Sequence, residues 1–334
     1  MTDNLRVGLY LPPDIPQSFK VYADNVAQHF PALGVEIVPF GNRNELPRTA
    51  DVLWDIRSGG GNPPLEFLLG GPPLVITVHG FAPISLSGWE YFRTLRGMLM
   101  TGRYAREKLA KWQELKGGVA HLIAVSHFTK HEAVQLTGVP ADKITVCHHG
   151  VDTASFTPDS GTPHENYFLH ISNNEPRKNL PRVVAAFKQL RKHHDVRLLL
   201  KLPAQQAECY RNIDGVEVIA NMLSTAQLAA LYQRALGFVF PSLYEGFGLP
   251  ILEAMASGCP VITSNASACP EVARNAALIA DPRDQDAIFG AMRTLLLDPF
   301  AREQLVSAGL KHCGNFTWQA SAACHASVLR NASN

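Results

Sequence analysis

Residues 240–258 read Phe-Pro-Ser-Leu-Tyr-Glu-Gly-Phe-Gly-Leu-Pro-Ile-Leu-Glu-Ala-Met-Ala-Ser-Gly. An apolar, strand-like run ends at Ser242, a loop with two glycines follows, and Pro250 marks the first turn of a helix that Gly258 terminates. In an open α/β sheet, ligands bind beyond the carboxyl ends of the strands. A helix start there offers unpaired N–H groups and partial positive charge to an anion. Gly246 and Gly248 let the backbone approach a phosphate closely. Glu253, about a turn inside the helix, can accept both hydroxyls of a ribose, and Glu245 lies in the loop nearer the reacting end of a ligand.

Outward from this segment the same alternation runs along most of the chain. Strands are expected over 6–11, 35–40, 51–56, 74–79, 121–126 and 144–149, then over 167–172, 196–202, 216–220, 237–242, 261–265 and 277–280. Many are continuous Val/Ile/Leu runs, as in parallel strands buried on both faces. Helices are expected over 18–30, 127–137, 180–193, 225–235 and 251–257, with a last one over 318–330. Alternation of this kind predicts doubly wound α/β sheets, and two sets of six strands predict two of them. The Pro/Gly/Ser-rich stretch 157–166 is read as the linker, which divides the chain into domains 1–156 and 157–314 and a terminal helix 315–334 that can cross back to the first domain.

A second chemical element, Ile171-Ser-Asn-Asn-Glu-Pro-Arg177-Lys178-Asn179-Leu180, again follows a strand and opens a helix. Cations in a first helical turn oppose the helix dipole, so an anion is expected opposite them. Arg177 and Lys178 can meet a diphosphate without a metal. After the 196–200 run, Lys201 is read either as a nucleotide contact or as a solvated strand end.

Composition narrows the classes. The chain has 334 residues, 46% of them apolar and 18% charged, enough for two cores and unlike a disordered chain. Thirty Lys+Arg against 29 Asp+Glu give a net charge of +1, which argues against a general nucleic-acid binder. The six cysteines (Cys147, Cys209, Cys259, Cys269, Cys313 and Cys324) form no CxxC pair, so neither a disulfide scaffold nor a zinc ribbon is expected and a reducing cytoplasm fits best. No signal peptide and no spanning segment are read.

At these residues the sequence resembles the family 4 glycosyltransferases, retaining nucleotide-sugar enzymes of the GT-B fold, and within them the mannosyltransferases. The resemblance rests on Glu175-Pro-Arg177-Lys178-Asn179-Leu180 and on the run from Glu245 to Ile262. Thr77-Val-His79-Gly, Ala124-Val-Ser126-His-Phe-Thr-Lys130, His149-Gly150-Val151-Asp152, Pro270-Glu271-Val272 and Phe316-Thr-Trp318 extend it over about the whole chain. It implies two Rossmann-like domains facing a central cleft, with the acceptor entering from the first. It implies that Arg177 and Lys178 hold the donor diphosphate, that Glu253 binds ribose, and that Glu245 with the amides of Gly246, Phe247, Gly248 and Leu249 faces the donor sugar and its phosphate. His79 would reach the transferred sugar, and Met222 and Leu223 stand where the family's backbone meets the base. The donor is expected to be a GDP-, UDP- or ADP-linked hexose, with GDP-mannose the choice made here, and no metal or further cofactor is expected. The first loop, 12–18, lacks the glycine pair that many members carry, which leaves its role open.

Other signals weigh less. Asp284-Gln-Asp286 looks like a metal-binding Asp-x-Asp but sits at a helix start and reads as a cap. The glycine-rich stretch 58–64 does not open a helix and reads as a loop lining a cleft. The segment from Trp89 to Lys116 interleaves seven Arg/Lys with aromatic and apolar residues, which suits either an anionic membrane with a lipid-linked acceptor or an ordinary amphipathic helix pair. Two other functions compete with transfer: a nucleotide-sugar 2-epimerase of the same architecture, and a non-catalytic nucleotide-binding protein.

Overall fold

A computed structural model describes residues 4–58, 63, 71–159, 161, 164–173 and 175–334. Most of the glycine-rich 58–64 stretch lies outside the described residues. The chain forms two compact units. The first holds residues 1–89, 94–150 and 316–334, and the second holds 90–93 and 151–315. The division therefore falls at Gly150/Val151, ahead of the expected 156/157, and the stretch read as a linker lies inside the second unit.

The sheet of the first unit contains β1 (Leu5–Tyr10), β2 (Val35–Phe40), β3 (Val52–Ser58), β4 (Leu74–Val78), β5 (Val119–Ala124) and β6 (Ile144–Val146), in the order β2-β1-β3-β4-β5-β6. The second unit's sheet contains β7 (Tyr167–Ile171), β8 (Arg197–Lys201), β9 (Val216–Ile219), β10 (Gly237–Phe240), β11 (Val261–Ser264) and β12 (Leu278–Ala280), in the order β12-β11-β10-β7-β8-β9. Every pairing is parallel. All five residues of β4 and all four of β10 are buried, which is why these strands read as unbroken apolar runs.

Helices cover both sheets. In the second unit the Leu180–Arg191 and Gln285–Leu297 helices pack Phe187, Leu190, Ile288 and Met292 against Phe168, Leu198, Leu200 and Val239. Asp284 caps the latter helix, accepting the amides of Asp286 and Ala287, while Asp281 closes a turn on the amide of Arg283. Asp284 of the Asp-x-Asp pair is thus the helix cap. In the first unit the Leu95–Leu115 helix buries Trp112 and Leu115 beside Phe81 and Leu122. Its opening turns stay bare: Leu95 is 71% and Leu99 80% exposed. Among the described residues, no helix is long and apolar enough to cross a membrane.

The last helix, Trp318–Ser333, belongs to the first unit and is bound there by a directed hydrogen-bond chain. His325 Nδ1 donates to the carbonyl of Ser321 at 2.7 Å, so its Nε2 accepts from the hydroxyl of Tyr22. Tyr22 in turn faces the Thr77 hydroxyl at 3.3 Å, and Thr77 accepts from the indole N–H of Trp54 at 2.9 Å. All four side chains are buried and satisfied, which makes the chain specific to one docking of the helix. A covalent bond adds to it: Cys147 and Cys324, 177 residues apart in sequence, form a disulfide. A single bond does not make a disulfide scaffold, but it is one that the cysteine spacing did not announce, because folding brings together two residues far apart in sequence.

Gly150 lies against this helix start. A Cβ there would meet the backbone nitrogen of Trp318 at 2.1 Å and the carbonyl carbon of Thr317 at 2.4 Å. Backbone cannot swing aside as a side chain can, so Gly150→Ala is expected to destabilise the first unit by about 3 kcal/mol, the upper end for overpacking. Chemical denaturation followed by tryptophan fluorescence would read this loss.

Candidate nucleotide-sugar site

In the second unit, β7 leads outward to β8 and β9 on one side, and β10 to β11 and β12 on the other. The connection order therefore reverses between β7 and β10, which makes their carboxyl ends the switch point where doubly wound sheets take ligands. Both chemical segments of the sequence emerge there. Residues 172–179 follow β7 and residues 241–248 follow β10.

The two loops are tied together by buried charge. Glu245, only 6% exposed, receives Lys178 Nζ at 2.7 Å on one carboxylate oxygen and Arg177 Nη1 at 3.1 Å on the other. Arg177 also donates to the Tyr244 carbonyl at 3.2 Å and pairs through Nε with Glu175 at 2.6 Å. Lys178 Nζ lies 4.8 Å from the centre of the Phe240 ring. Burial by itself would raise the Glu245 carboxyl, but Lys178 and Arg177 outweigh it and hold it below the usual carboxylate range. Burial lowers the Lys178 ammonium despite Glu245, whereas for Arg177 the two glutamates prevail over burial and raise it. The anion expected opposite the two cations is thus present, and it is a side chain of the protein itself.

Backbone strain shapes both loops. Arg177 and Lys178 occupy a 3-10 turn ahead of the helix, followed by Asn179 in the left-handed region at φ 61°. The buried Asn179 amide holds that conformation by donating to the carbonyls of Pro241 at 3.0 Å and Pro282 at 2.6 Å. Gly248, at φ 104°, is the N-cap of the Leu249–Ala256 helix, and no side chain caps that start. A side chain at this φ would be strained, so the glycine is required. The Glu245 amide donates to Ser267 Oγ at 2.8 Å, which fixes the loop from β11. Nothing in the sequence around Ser267 announces this contact.

Glu253 sits in the Leu249–Ala256 helix and accepts a hydrogen bond from Tyr232 at 3.2 Å. Unlike Glu245 it has no cation to offset burial, and its carboxyl is pushed up to about 7. His170, inside β7, is a further support that sequence reading missed. Its Nδ1 donates to the Val239 carbonyl at 2.7 Å, its Nε2 faces Ser172 Oγ at 3.0 Å, and burial lowers it to about 4. It clamps β7 to β10 below the two loops.

The remaining predicted residues lie elsewhere. Met222, 89% exposed, and Leu223 follow edge strand β9, two strands from β7. Lys201 ends β8 opposite Ile171, and its carbonyl accepts the Ser172 amide at 3.1 Å. His79 belongs to the first unit, just past β4. Its Nε2 donates to the Ile56 carbonyl at 3.1 Å, which leaves Nδ1 as the acceptor, and burial lowers its pKa to about 3. A ring held neutral in this way offers Nδ1 as a hydrogen-bond acceptor.

Two family models match adjoining stretches of this chain: "Glycosyltransferase Family 4" over residues 57–155 and "Glycosyl transferases group 1" over residues 155–312. The chain belongs to the family 4 glycosyltransferases. It is 34% identical over 217 residues to O-antigen chain mannosyltransferase B of Escherichia coli, a match covering 59% of this chain and 57% of that protein. It is 31% identical over 280 residues to an MMP alpha-(1->4)-mannosyltransferase of Mycolicibacterium hassiacum, covering 78% of this chain and 66% of the relative. The chain thus spans less than two thirds of each relative's length. Its fold is also that of sucrose-phosphate synthase from Thermosynechococcus elongatus, with a TM-score of 0.76, 17% identity and 98% of both chains covered. This likeness, with the two parallel six-stranded sheets, makes the architecture GT-B.

The raised Glu253 carboxyl has a measurable cost to the fold. An acid raised from 4.5 to about 7 binds its proton more tightly when folded. Stability is therefore unaffected below the unfolded value, falls as pH rises through the interval, and stays reduced above about 7. Glu253→Gln keeps an acceptor for Tyr232 and removes the ionisation. It is expected to raise the melting temperature at pH 8 by a gain of up to about 3 kcal/mol and to change little at pH 4, as read by calorimetry across pH.

Proposed function

We propose that the protein is a metal-independent, retaining hexosyltransferase that moves mannose from GDP-mannose to a saccharide or lipid-linked acceptor. The observation that carries this reading is the convergence of Arg177 and Lys178 beside an uncapped helix start at the switch point. The two mannosyltransferase relatives support the choice of sugar.

In this reading the donor diphosphate takes the two cations that Glu245 now neutralises, and the amides of residues 246–249 receive its remaining oxygens. As the glycosidic bond breaks, charge gathers on the leaving nucleoside diphosphate and the sugar becomes oxocarbenium-like. Arg177, Lys178 and the helix-start amides stabilise that charge without reorganising. Two fixed cations supply what a divalent ion supplies elsewhere, and Asp284 is committed to its cap. Glu245, released by the diphosphate, turns to the sugar hydroxyls. Glu253 binds the ribose diol, Met222 and Leu223 border the base, and His79 accepts a hydroxyl of the transferred sugar through Nδ1. The acceptor attacks from the face that the leaving group vacates, so the anomeric configuration is retained.

Calorimetry with GDP, UDP and ADP, followed by proton NMR with the sugar nucleotide, tests the reading. Arg177→Ala is expected to weaken nucleoside diphosphate binding about 10- to 100-fold, the value of a lost charge-assisted hydrogen bond. Unchanged affinity would refute the site. Solvent deuterium appearing at the sugar C2 without an acceptor would make the protein an epimerase instead.

The lipid-linked acceptor draws on the bare start of the Leu95–Leu115 helix. Leu95, Met98, Leu99 and Met100 are exposed beside Arg96, Arg103 and Arg106. Such a face suits an anionic lipid surface. Leu95→Asp with Leu99→Asp is expected to abolish cosedimentation with vesicles rich in anionic lipid while leaving nucleotide binding intact.

A further inference from the structure

The C-terminal helix carries a chemistry that sugar transfer does not use. Cys147 directly follows β6, and its disulfide partner Cys324 lies in the Trp318–Ser333 helix, with Cα atoms 5.7 Å apart. That spacing is in the range a disulfide accepts without backbone movement. The bond joins the chain as it leaves the first unit to the chain after it returns. The loop it closes contains all of residues 151–315.

The two cysteines differ in burial. Cys147 is 1% exposed, whereas Cys324 is only partly buried and follows the exposed Ala323. Thiol–disulfide exchange requires a thiolate to reach one sulfur and the other to leave. Burial therefore makes Cys324 the point of entry and Cys147 the leaving group.

We propose that Cys147–Cys324 is an exchangeable redox site for small thiols of the glutathione class, entered through Cys324, that sets how firmly the C-terminal helix is held. The external thiolate attacks Cys324 Sγ, the protein disulfide breaks, and its electron pair leaves on Cys147, which takes up a proton. A second thiolate attacks the external sulfur of the mixed disulfide. This frees Cys324 and releases the oxidised small-molecule disulfide, so two electrons from two thiols have reduced the protein bond. Oxidised glutathione reverses both steps. The Trp54–Thr77–Tyr22–His325 chain persists after reduction, so the helix is loosened and not released.

The test uses the full chain in a Cys209→Ser background, because Cys209 is an exposed free thiol. Non-reducing peptide mapping in oxidised glutathione is expected to show Cys147 joined to Cys324. Dithiothreitol is expected to lower the melting temperature by about 5 °C or more, as opening a long covalent loop frees the unfolded chain. Cys147→Ser is expected to take up one glutathione on Cys324, whereas Cys324→Ser leaves Cys147 unmodified. Both variants should melt like the reduced protein, with no response to dithiothreitol. Free thiols at both positions under oxidation, equal melting of oxidised and reduced protein, or ready glutathione uptake at Cys147 would each overturn the proposal. None of these readouts involves a residue of the nucleotide-sugar site, so their failure leaves that reading untouched.

Discussion

A carboxylate buried between two cations organises the second unit. Taking three charged groups out of water is costly, and the cost is offset only when each charge is held close to an opposite one. Glu245, Arg177 and Lys178 meet that condition across two loops that are far apart in sequence, and each of the three owes its place to backbone held by other contacts. Asn179 in its left-handed conformation turns Arg177 and Lys178 toward β10, while Ser267 holds Glu245 from the β11 side. The free protein is thereby pre-arranged to bind an anion and is not left with two bare buried cations.

The two acids of the Glu-x7-Glu spacing show how environment divides roles. Glu245 faces cations and stays ionised, while Glu253 faces Tyr232 and an apolar interior and is half-protonated near neutrality. The first unit solves a different problem. Its last helix returns over 300 residues after the first strand and is held by a buried chain of neutral hydrogen-bonding groups whose donors and acceptors each have one direction, reinforced by one covalent bond.

Much of this was legible in the residues. All twelve expected strands occur, shifted at their ends by up to three residues, because a parallel strand covered on both faces needs an unbroken apolar run and little else reads that way. Glycine at 248 and proline at 250 announced the helix start, and the basic pair at 177–178 announced an opposing negative charge, which Glu245 supplies. Less was legible where the partner is distant or chemically ordinary. Ser267, Tyr232 and His170 are unremarkable in sequence, and each matters only for what stands 20 to 70 residues away. The exposed start of the Leu95–Leu115 helix was ambiguous for a related reason, since amphipathic spacing does not say which turns find a core.

The sequence by itself determined the architecture, the positions of the strands along the chain and the identity of the charged residues at the switch point, because periodicity, glycine placement and charge are local properties. Only the tertiary structure decided that Glu245 neutralises Arg177 and Lys178, that Glu253 lacks a cation, that His79 is a neutral acceptor, and that Cys147 and Cys324 are joined. Those outcomes depend on distance and on exclusion of water, and neither exists until the chain has folded.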